Sequence, residues 1–434
     1  MPTMIESETT YQVGAATVEQ LIAQYGEVRA ASEEFCRPLE TEDYVVQSMP
    51  DVSPAKWHLA HTSWFFETFV IKPHLPDYRS LHPQYDFLFN SYYNAVGERH
   101  CRPKRGLISR PTVADTYRYR EYVDRHMEEV LLAMDGAQLL SARPIVILGL
   151  NHEQQHQELM VTDIKHVLSE NPLQPTYRER IFLEQTPHLE PQTWRLFDGG
   201  VYEIGFAGQG FAFDNEGPRH NEYSSPFLLG SRLVTNGEYI EFIEAGGYRR
   251  PEFWLSEGWN TAQSHDWQAP LYWEKKDGRW TQFTLSGPRD LDLSEPVCHV
   301  SLFEADAYAQ WAGARLPTEA EWERAAIEEP ISGRFAEDRV YHPQAAPSAQ
   351  KGKIVQLYGD VWEWTRSQYS PYPGYHAAAG ALGEYNGKFM CNQFVLRGGS
   401  CATPRSHIRP TYRNFFSPDA RWQFTGIRLA KDCA

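Results

Sequence analysis

A change in sequence character near Asn171 divides this chain into two unlike parts. Upstream of it, apolar residues recur at helical spacing over long stretches. Residues 171–193 contain four prolines, and beyond them come glycine pairs, short β-type runs and irregular segments rich in Trp and Tyr. The pattern predicts a helical domain over residues 1–170, a linker over 171–193 and an α+β domain over 194–434.

Two helices are predicted before the middle of the first part. A capping box at residues 17–20 starts the first helix, which runs to about Phe35. Ser53 is expected to cap the second helix, with Pro54 at the first helical position. This helix is expected to end before Pro73.

The other two helices follow a long connection. The third runs from about Pro111 to Met134, and the fourth from near Pro144 to about Leu168. Four helices of this length favour a four-helix bundle. A connection as long as residues 73–111 inside a compact domain is often functional.

Composition excludes several classes of protein. The net charge of −16 at pH 7 argues against nucleic acid as a partner, because phosphate binding needs a basic surface. No apolar stretch is long enough for a membrane helix, and no signal peptide is visible. Six cysteines without a CxxC pair are too sparse for a disulfide framework. We expect a cytoplasmic enzyme without a membrane partner, whose aromatic content of 14% includes rings at a site for a cation.

The sharpest local signal is the string HEQQH at residues 152–156 of the fourth helix. Residues four apart share a helix face, so His152 and His156 lie on one stripe with Ile145 and Leu148 and project into the bundle. Two buried imidazoles one turn apart are costly unless they are hydrogen-bonded or bind a metal. We predict that they bind a metal.

His61 is the predicted third ligand. It lies on the stripe of Trp57 and Trp64, which faces inward, whereas His58 points sideways and is interpreted as structural. Three neutral imidazoles leave a divalent ion with its full charge and open coordination positions. Such a site binds a thiolate and O2 on iron, or activates water on zinc.

The same string matches the H-E-x-x-H signature of zinc proteases, with Glu153 as general base. The extended form of that signature is missing, and the downstream candidates Glu170 and Glu179 lie at or beyond the helix end. The protease is therefore the weaker alternative.

Further strings occur in a fixed order along the chain. The first part contains WHLAH at residues 57–61 before HEQQH, and the second part contains six strings: GGVYEIG (199–205), VTN (234–236), RLPTEAEWE (315–323), DVWEWT (360–365), LRGGS (396–400) and TGIRLA (425–430). Over nearly its whole length the chain resembles the iron(II)-dependent sulfoxide synthases of ergothioneine biosynthesis. The resemblance implies a DinB-like four-helix bundle followed by a formylglycine-generating-enzyme-like (sulfatase-modifying factor) domain of C-type-lectin-like fold.

The resemblance also implies a reaction. In that family Fe(II) and O2 join the thiol of cysteine or γ-glutamylcysteine to C2 of the imidazole of hercynine, giving a sulfoxide. His61, His152 and His156 correspond to the iron ligands. Gln155 matches the position that hydrogen-bonds the substrate imidazole.

Further substrate contacts follow from the same resemblance. Asn414 resembles the residue that holds the carboxylate and trimethylammonium end of hercynine. Phe415 and Phe416 are expected beside that cation, where aromatic faces attract it; simple core packing is the alternative. Arg102 and Arg105 are spaced like the arginines that bind the carboxylate of the thiol substrate, for which guanidinium forks are suited. A solvated arginine cluster is the alternative for these two.

Two adjacent tyrosines complete the predicted site. The oxygen chemistry needs a proton donor near the metal, and a phenol supplies one without the charge of a carboxylate. We expect Tyr92 or Tyr93 to serve, with the other in support, although both could be packing residues. The catalytic tyrosine of many family members lies in the C-terminal part, and no clear counterpart appears within residues 374–386.

Two departures from the family patterns matter. Thr403 and Ile408 occupy what look like the copper-binding cysteine positions of formylglycine-generating enzymes, so copper chemistry is not expected. Members dedicated to γ-glutamylcysteine have an Asp where this chain has Phe416, which leaves the identity of the thiol donor open. The chain thus resembles a divergent branch.

Two other functions compete with the oxygenase. A DinB-type thiol S-transferase would use zinc or nickel on the same three histidines. A lectin-like binding module would use the bundle only as a support.

Overall fold

The structure, a computed structural model, describes residues 17–181, 191–347 and 353–433. Residues 1–16 lie outside the described residues. The prediction that the chain has no signal peptide concerns this region. Residues 182–190 of the predicted linker also lie outside the described residues.

The first part of the chain is helical, and strands occur only from Trp194 onward in the described residues. Helices α2 and α5 pack together, and α6 packs against α1 and α2. The helix bounds are α1 Val18–Cys36, α2 Ala55–Phe66, α3 Lys72–His74, α4 Tyr85–Phe89, α5 Val113–Ala133 and α6 Gly136–Glu170.

Capping boxes set the helix starts that the sequence predicts well. Thr17 accepts from the backbone N–H of Gln20, whose side chain accepts from the N–H of Thr17. Thr112 and Asp115 form the same reciprocal pair at the start of α5. Each box satisfies two backbone donors that the first helical turn leaves without partners.

The predicted start of the fourth helix is wrong. Helix α6 begins at Gly136, because Asp135 and Gln138 form a capping box ahead of Pro144. Pro144 lies inside the helix and removes the hydrogen bond to the carbonyl of Leu140. That residue is 74% exposed, so water can serve its carbonyl.

The predicted start of the second helix is also wrong. Pro54 is the residue before the helix, and Ser53 forms no cap. Instead its backbone N–H donates to Asp163 and its hydroxyl accepts from Arg105. At the other end, α2 ends at Phe66, before Pro73 as predicted, and the chain continues through a π-helical turn into the short α3, which contains Pro73.

Over its described residues, the second part combines short helices with four small sheets. Its helices are α7 Asn236–Glu244, α8 Ser256–Ser264, α9 Leu302–Trp311 and α10 Glu319–Ile327. Its strands are β1 Trp194–Phe197, β2 Gly200–Ile204, β3 His220–Ser224, β4 Phe227–Gly230, β5 Trp273–Lys276, β6 Arg279–Thr284, β7 Gly287–Asp290, β8 Trp362–Gln368, β9 Phe394–Arg397, β10 Asn414–Phe416, β11 Thr425–Gly426 and β12 Ala430–Asp432.

One sheet brings the second part to the helical part. Its strand order is β10-β9-β8-β11, with β11 parallel to β8 and the other pairs antiparallel. The remaining sheets have the orders β1-β4-β12, β2-β3 and β5-β6-β7. Trp362 at the start of β8 donates its indole N–H to Glu158 of α6 at 2.8 Å, which ties this sheet to that helix. Over the described residues, the helices contain no segment long and apolar enough to cross a bilayer.

Candidate metal centre

Three buried imidazoles meet between α2 and α6. His61, His152 and His156 each offer a nitrogen, and these atoms all lie within 4.8 Å of one another. The Nε2 atoms of His61 and His152 are 3.2 Å apart. The sequence-based grouping of these three residues thus corresponds to a real cluster, which the four-residue spacing on α6 produces.

The surroundings of His61 fix its tautomer. Its Nδ1 lies 2.6 Å from the carbonyl oxygen of Phe89, which can only accept, so Nδ1 carries the proton. Nε2 is left with its lone pair directed at the cluster. The ring is stacked between Trp57 at 4.6 Å and Trp64 at 5.6 Å, which prevents it from rotating away.

A relay fixes His156 in the same way. Asp163 accepts from Nε2 of His58 at 3.0 Å, so Nδ1 of His58 must accept the proton of Nδ1 of His156 at 2.8 Å. Nε2 of His156 is then free to bind a metal. Carboxylate or carbonyl partners that orient metal-binding histidines in this manner are typical of metal sites. His58 therefore supports a ligand position and is not a member of the cluster itself.

Electrostatics keep the three rings neutral. Burial lowers the pKa of His152 to about 3. Burial, helped by the neighbouring imidazoles, holds the pKa of His61 and of His156 well below the ordinary value. Neutral imidazoles are the form that binds transition metals, so this donor set fits a divalent ion.

Glu153 points about 100° away from His152 around α6, toward α1 and α5, and takes no part in the cluster. Its carboxylate accepts from Arg29 at 2.8 Å, Arg120 at 3.0 Å and Ser32 at 2.6 Å, all buried. Burial alone would raise the pKa of Glu153. The two arginines and the hydrogen bonds outweigh it, so the pKa falls to about 2. A carboxylate held in this way cannot act as the general base of a zinc protease.

A cavity of about 340 Å³, open to solvent on one side, begins at the cluster. Both parts of the chain line it. Among the predicted site residues, those on its wall are Tyr92, Arg102, Arg105, His152, Gln155, His156, Asn414, Phe415 and Phe416. His61 lies in the cluster behind the wall, and Tyr93 is fully buried behind Tyr92.

Arginines form one side of the cavity. The guanidinium of Arg105 lies 3.3 Å above the ring of Trp57, the same ring that stacks on His61. It is buried, and it donates to Ser53. Arg99 and Arg102 also line this side and are more exposed. An anionic group in the cavity would meet three positive charges here.

Aromatic residues form another side. Phe415 stacks on Tyr369 with ring centres 4.0 Å apart and lies near Phe389. Asn414 pairs in register with Leu396 across β10 and β9, and its side-chain oxygen accepts from the backbone N–H of Phe415. Phe415 and Phe416 therefore pack in part against other rings while presenting a surface to the cavity.

Gln155 stands between two tyrosines that the sequence reasoning missed. Its amide N–H donates to the hydroxyl of Tyr412 at 2.8 Å, and its carbonyl accepts from the hydroxyl of Tyr385. The ring of Tyr385 lies 5.6 Å from that of His152. Tyr385 follows a single 3-10 turn in an irregular segment, so no periodic pattern marks it. The family resemblance alone could have pointed to it, since it lies within residues 374–386.

Tyr92 and Tyr93 stack on each other with centres 4.6 Å apart. Tyr93 also packs against Trp64 and Phe69, inside the core. Burial raises the pKa of both phenols above the ordinary value, so both keep their protons at neutral pH.

Glu158 joins the metal-bearing helix to the second part. It is buried two residues after His156 and accepts from Trp362 at 2.8 Å, Thr403 at 2.7 Å and Ser400. Burial raises its pKa. Thr403, at one of the positions compared with the copper-binding cysteines, thus donates to a carboxylate from the first part.

Comparison with known proteins first identifies the class of domain to which the second part belongs. Residues 182–354 and 337–433 match the family of the sulfatase-modifying factor enzyme 1-like domain. The second part is therefore a domain of that class, here behind a helical part that contains the histidine cluster.

Relatives that match over nearly the whole chain identify the family more closely. The chain is 32% identical to a hercynine oxygenase of Mycolicibacterium smegmatis over 94% of this chain and 98% of the relative. It is 31% identical to a hercynine oxygenase of Mycobacterium tuberculosis over 95% and 99%, respectively. Ergothioneine biosynthesis protein 1 of Schizosaccharomyces pombe is 28% identical over 51% of this chain and 28% of that protein. The chain belongs to the hercynine oxygenase family and is an oxygen-using enzyme of the oxidoreductase class.

Proposed function

We propose that this protein is a non-haem iron enzyme of ergothioneine biosynthesis. It would join the thiol of cysteine or γ-glutamylcysteine to C2 of the imidazole of hercynine, using O2, and release a sulfoxide. The observation that carries the proposal is a single cavity in which a three-imidazole cluster faces arginines on one side and an amide with aromatic rings on another.

His61, His152 and His156 would hold the iron through the nitrogens that their partners leave free. Iron bound there would supply electrons and open positions for dioxygen. The carbonyl of Phe89 and the His58–Asp163 pair keep two of these ligands in the required tautomer.

The two substrates would take opposite sides of the cavity. Arg102 and Arg105 would pair with the carboxylate of the thiol substrate. Gln155 would hydrogen-bond the imidazole of hercynine, while Asn414, Phe415 and Phe416 would surround its carboxylate and cationic end. Because Tyr385 and Tyr412 hold both ends of the Gln155 amide, its donor and acceptor directions are fixed before substrate binds.

The proton needed during turnover would come from Tyr92 or Tyr93. Tyr92 lies on the cavity wall and Tyr93 stacks behind it, and both phenols are protonated at neutral pH. Tyr93→Phe should slow sulfoxide formation or divert turnover to oxidation of the thiol substrate alone. Tyr385→Phe is the matched comparison, and a changed product ratio only in Tyr385→Phe would transfer the role to that residue.

The thiol donor is tested by direct competition. Phe416 offers no charge to a glutamyl group, which supports cysteine. The full-length protein, loaded with Fe(II) without oxygen, would be given hercynine and equal amounts of the two thiols before O2 is admitted. Mass spectrometry of the sulfoxide products then gives the preference.

The same assay tests the proposal as a whole. Fe(II) with O2 should yield sulfoxide, and Zn(II) should not. A C–S product that forms without O2 would contradict the proposal and support the DinB-type thiol S-transferase.

The domain organisation is part of the proposal. Residues 1–170 would form a DinB-like bundle that supplies the metal, residues 171–193 a linker, and residues 194–434 the domain that completes the substrate cavity. All six cysteines are free thiols, which supports a reducing, cytoplasmic location.

A further inference from the structure

A second cavity lies directly beside the metal cluster and differs from the first in character. It is a pocket of about 130 Å³ between α6 and the second part of the chain, and it is open to solvent on one side. On α6 it is lined by Pro144, Ile145, Ile147 and Leu148. Leu148 is one helical turn before His152 on the same face, about 6 Å along the axis.

The lining of the second cavity is mostly apolar. Its three polar side chains are Asp214, Tyr385 and Asn386. Asp214 accepts from Tyr375 at 2.9 Å and from Asn386 at 2.6 Å, and Tyr385 donates to Gln155. The rest of the lining is apolar, and sites lined by apolar side chains bind apolar solutes such as xenon.

A thin aromatic partition separates the two cavities. Phe213 and Tyr385 stack with centres 5.5 Å apart and line both cavities. On its far side the ring of Tyr385 meets the ring of His152. A small molecule that passes this partition arrives at the cluster without crossing the arginine-lined side that anionic substrates would occupy.

We propose that this second cavity collects dioxygen and delivers it to the metal cluster past Phe213 and Tyr385. The inference rests on the proposed function, because dioxygen is the only apolar reactant of that reaction. It accounts for a mostly apolar lining directly next to a highly polar site. The transfer is physical, and no bond forms or breaks.

Xenon tests the cavity without any turnover. Crystals of the full-length protein under xenon pressure should show xenon beside Ile145 and Leu148. Absence of xenon there would overturn the proposal. This readout is independent of the proposed reaction, so an enzyme inactive toward hercynine would refute the function while leaving the xenon result to judge the cavity.

Filling the cavity tests delivery. Ile145→Trp and Leu382→Trp enter it from opposite walls and should raise the KM for O2 several-fold, with the KM for hercynine unchanged. Leu140→Trp is the control, because this residue lies on the same helix but is 74% exposed and outside the lining. Folded filling variants with an unchanged KM for O2 would overturn the delivery role even if xenon binds.

Discussion

Two neighbouring residues of α6, His152 and Glu153, lie on two faces of the helix whose buried polar groups are paired differently. On the face that packs against α1 and α5, called the bundle face below, Glu153 is fully paired with Arg29, Arg120 and Ser32. On the cavity face, His152 and its partner imidazoles are buried with no opposite charge in their cluster, and two nitrogens face each other at 3.2 Å. A buried polar group that is fully paired stabilises the fold, whereas three neutral imidazoles whose lone pairs point at one place form a donor set for a cation.

The largest expected effect comes from the cavity face. His61→Ala and His152→Ala should lose bound iron, and activity should fall by more than about a hundredfold, since even loss of groups that only orient a ligand costs about 10–100-fold. Both variants should still unfold cooperatively. Metal analysis and calorimetry are the measurements.

His166→Ala is the matched control for these variants, because His166 lies on the same helix and contacts Ser48 instead of the cluster. If His61→Ala or His152→Ala retained a full complement of iron, the ligand assignment would be wrong.

The bundle face should show the reverse result. Glu153→Gln removes the buried carboxylate that two guanidinium groups share and leaves them only the partly exposed Asp124 and Glu33 as counter-ions, so the free energy of unfolding should fall by about 3–5 kcal/mol. Iron binding at saturating metal should be retained. Denaturant titration gives the stability, and Glu170→Gln at the exposed end of the same helix is the control. Loss of activity in a Glu153→Gln protein of normal stability would revive a catalytic role for this carboxylate.

Two glutamines give a closer comparison, because the residue type is the same. Gln155 faces the cavity, and Gln157 donates to the carbonyl of Val28 and to Ser32 on the bundle face. Gln155→Ala should raise the KM for hercynine about tenfold, the loss of roughly one hydrogen bond. Gln157→Ala should leave that KM unchanged and lower the free energy of unfolding by about 1–3 kcal/mol. Equal effects of both changes on KM would remove the distinction between the faces.

The smallest effect is expected at Glu384, which lies near the surface beside the loop after Tyr93. Glu384 accepts from the backbone amides of Asn94 and Ala95 and pairs with Lys388, which holds the loop after the two tyrosines. Partial burial raises its pKa, but the bonds to Lys388, Ala95 and Asn94 lower it to about 2 from 4.5. A carboxyl with a lowered pKa stabilises the fold above pH 4.5 and loses that contribution as the pH falls toward 2.

The measurement compares unfolding of the unmodified protein and Glu384→Gln between pH 6 and pH 3. The stability difference should be below about 1 kcal/mol, since the pair lies near the surface, and should shrink below pH 4.5. A difference that is constant with pH would show that this carboxylate does not hold the loop.

Whether a feature could be predicted from the sequence depends on how far apart along the chain its interacting residues lie. Capping boxes and the four-residue spacing act within one turn, so the start of α1 and the pairing of His152 with His156 were predictable. Pro144 was misread because the stronger local signal, Asp135 with Gln138, lies upstream of it. Tyr385 and Glu158 were missed because their partners lie more than 200 residues away in sequence, and no local pattern encodes such contacts.

Helix α6 also limits how this chain can change in length. Between His152 and Lys165 it carries the two ligands, Gln155, and a carboxylate and an ammonium that reach into the second part. One inserted residue in this stretch would turn everything downstream by about 100° and shift it by about 1.5 Å. The ligands and the anchoring groups would then point in incompatible directions. Insertions are therefore confined to the ends of this helix and to surface loops, where added length leaves the relative angle of these groups unchanged.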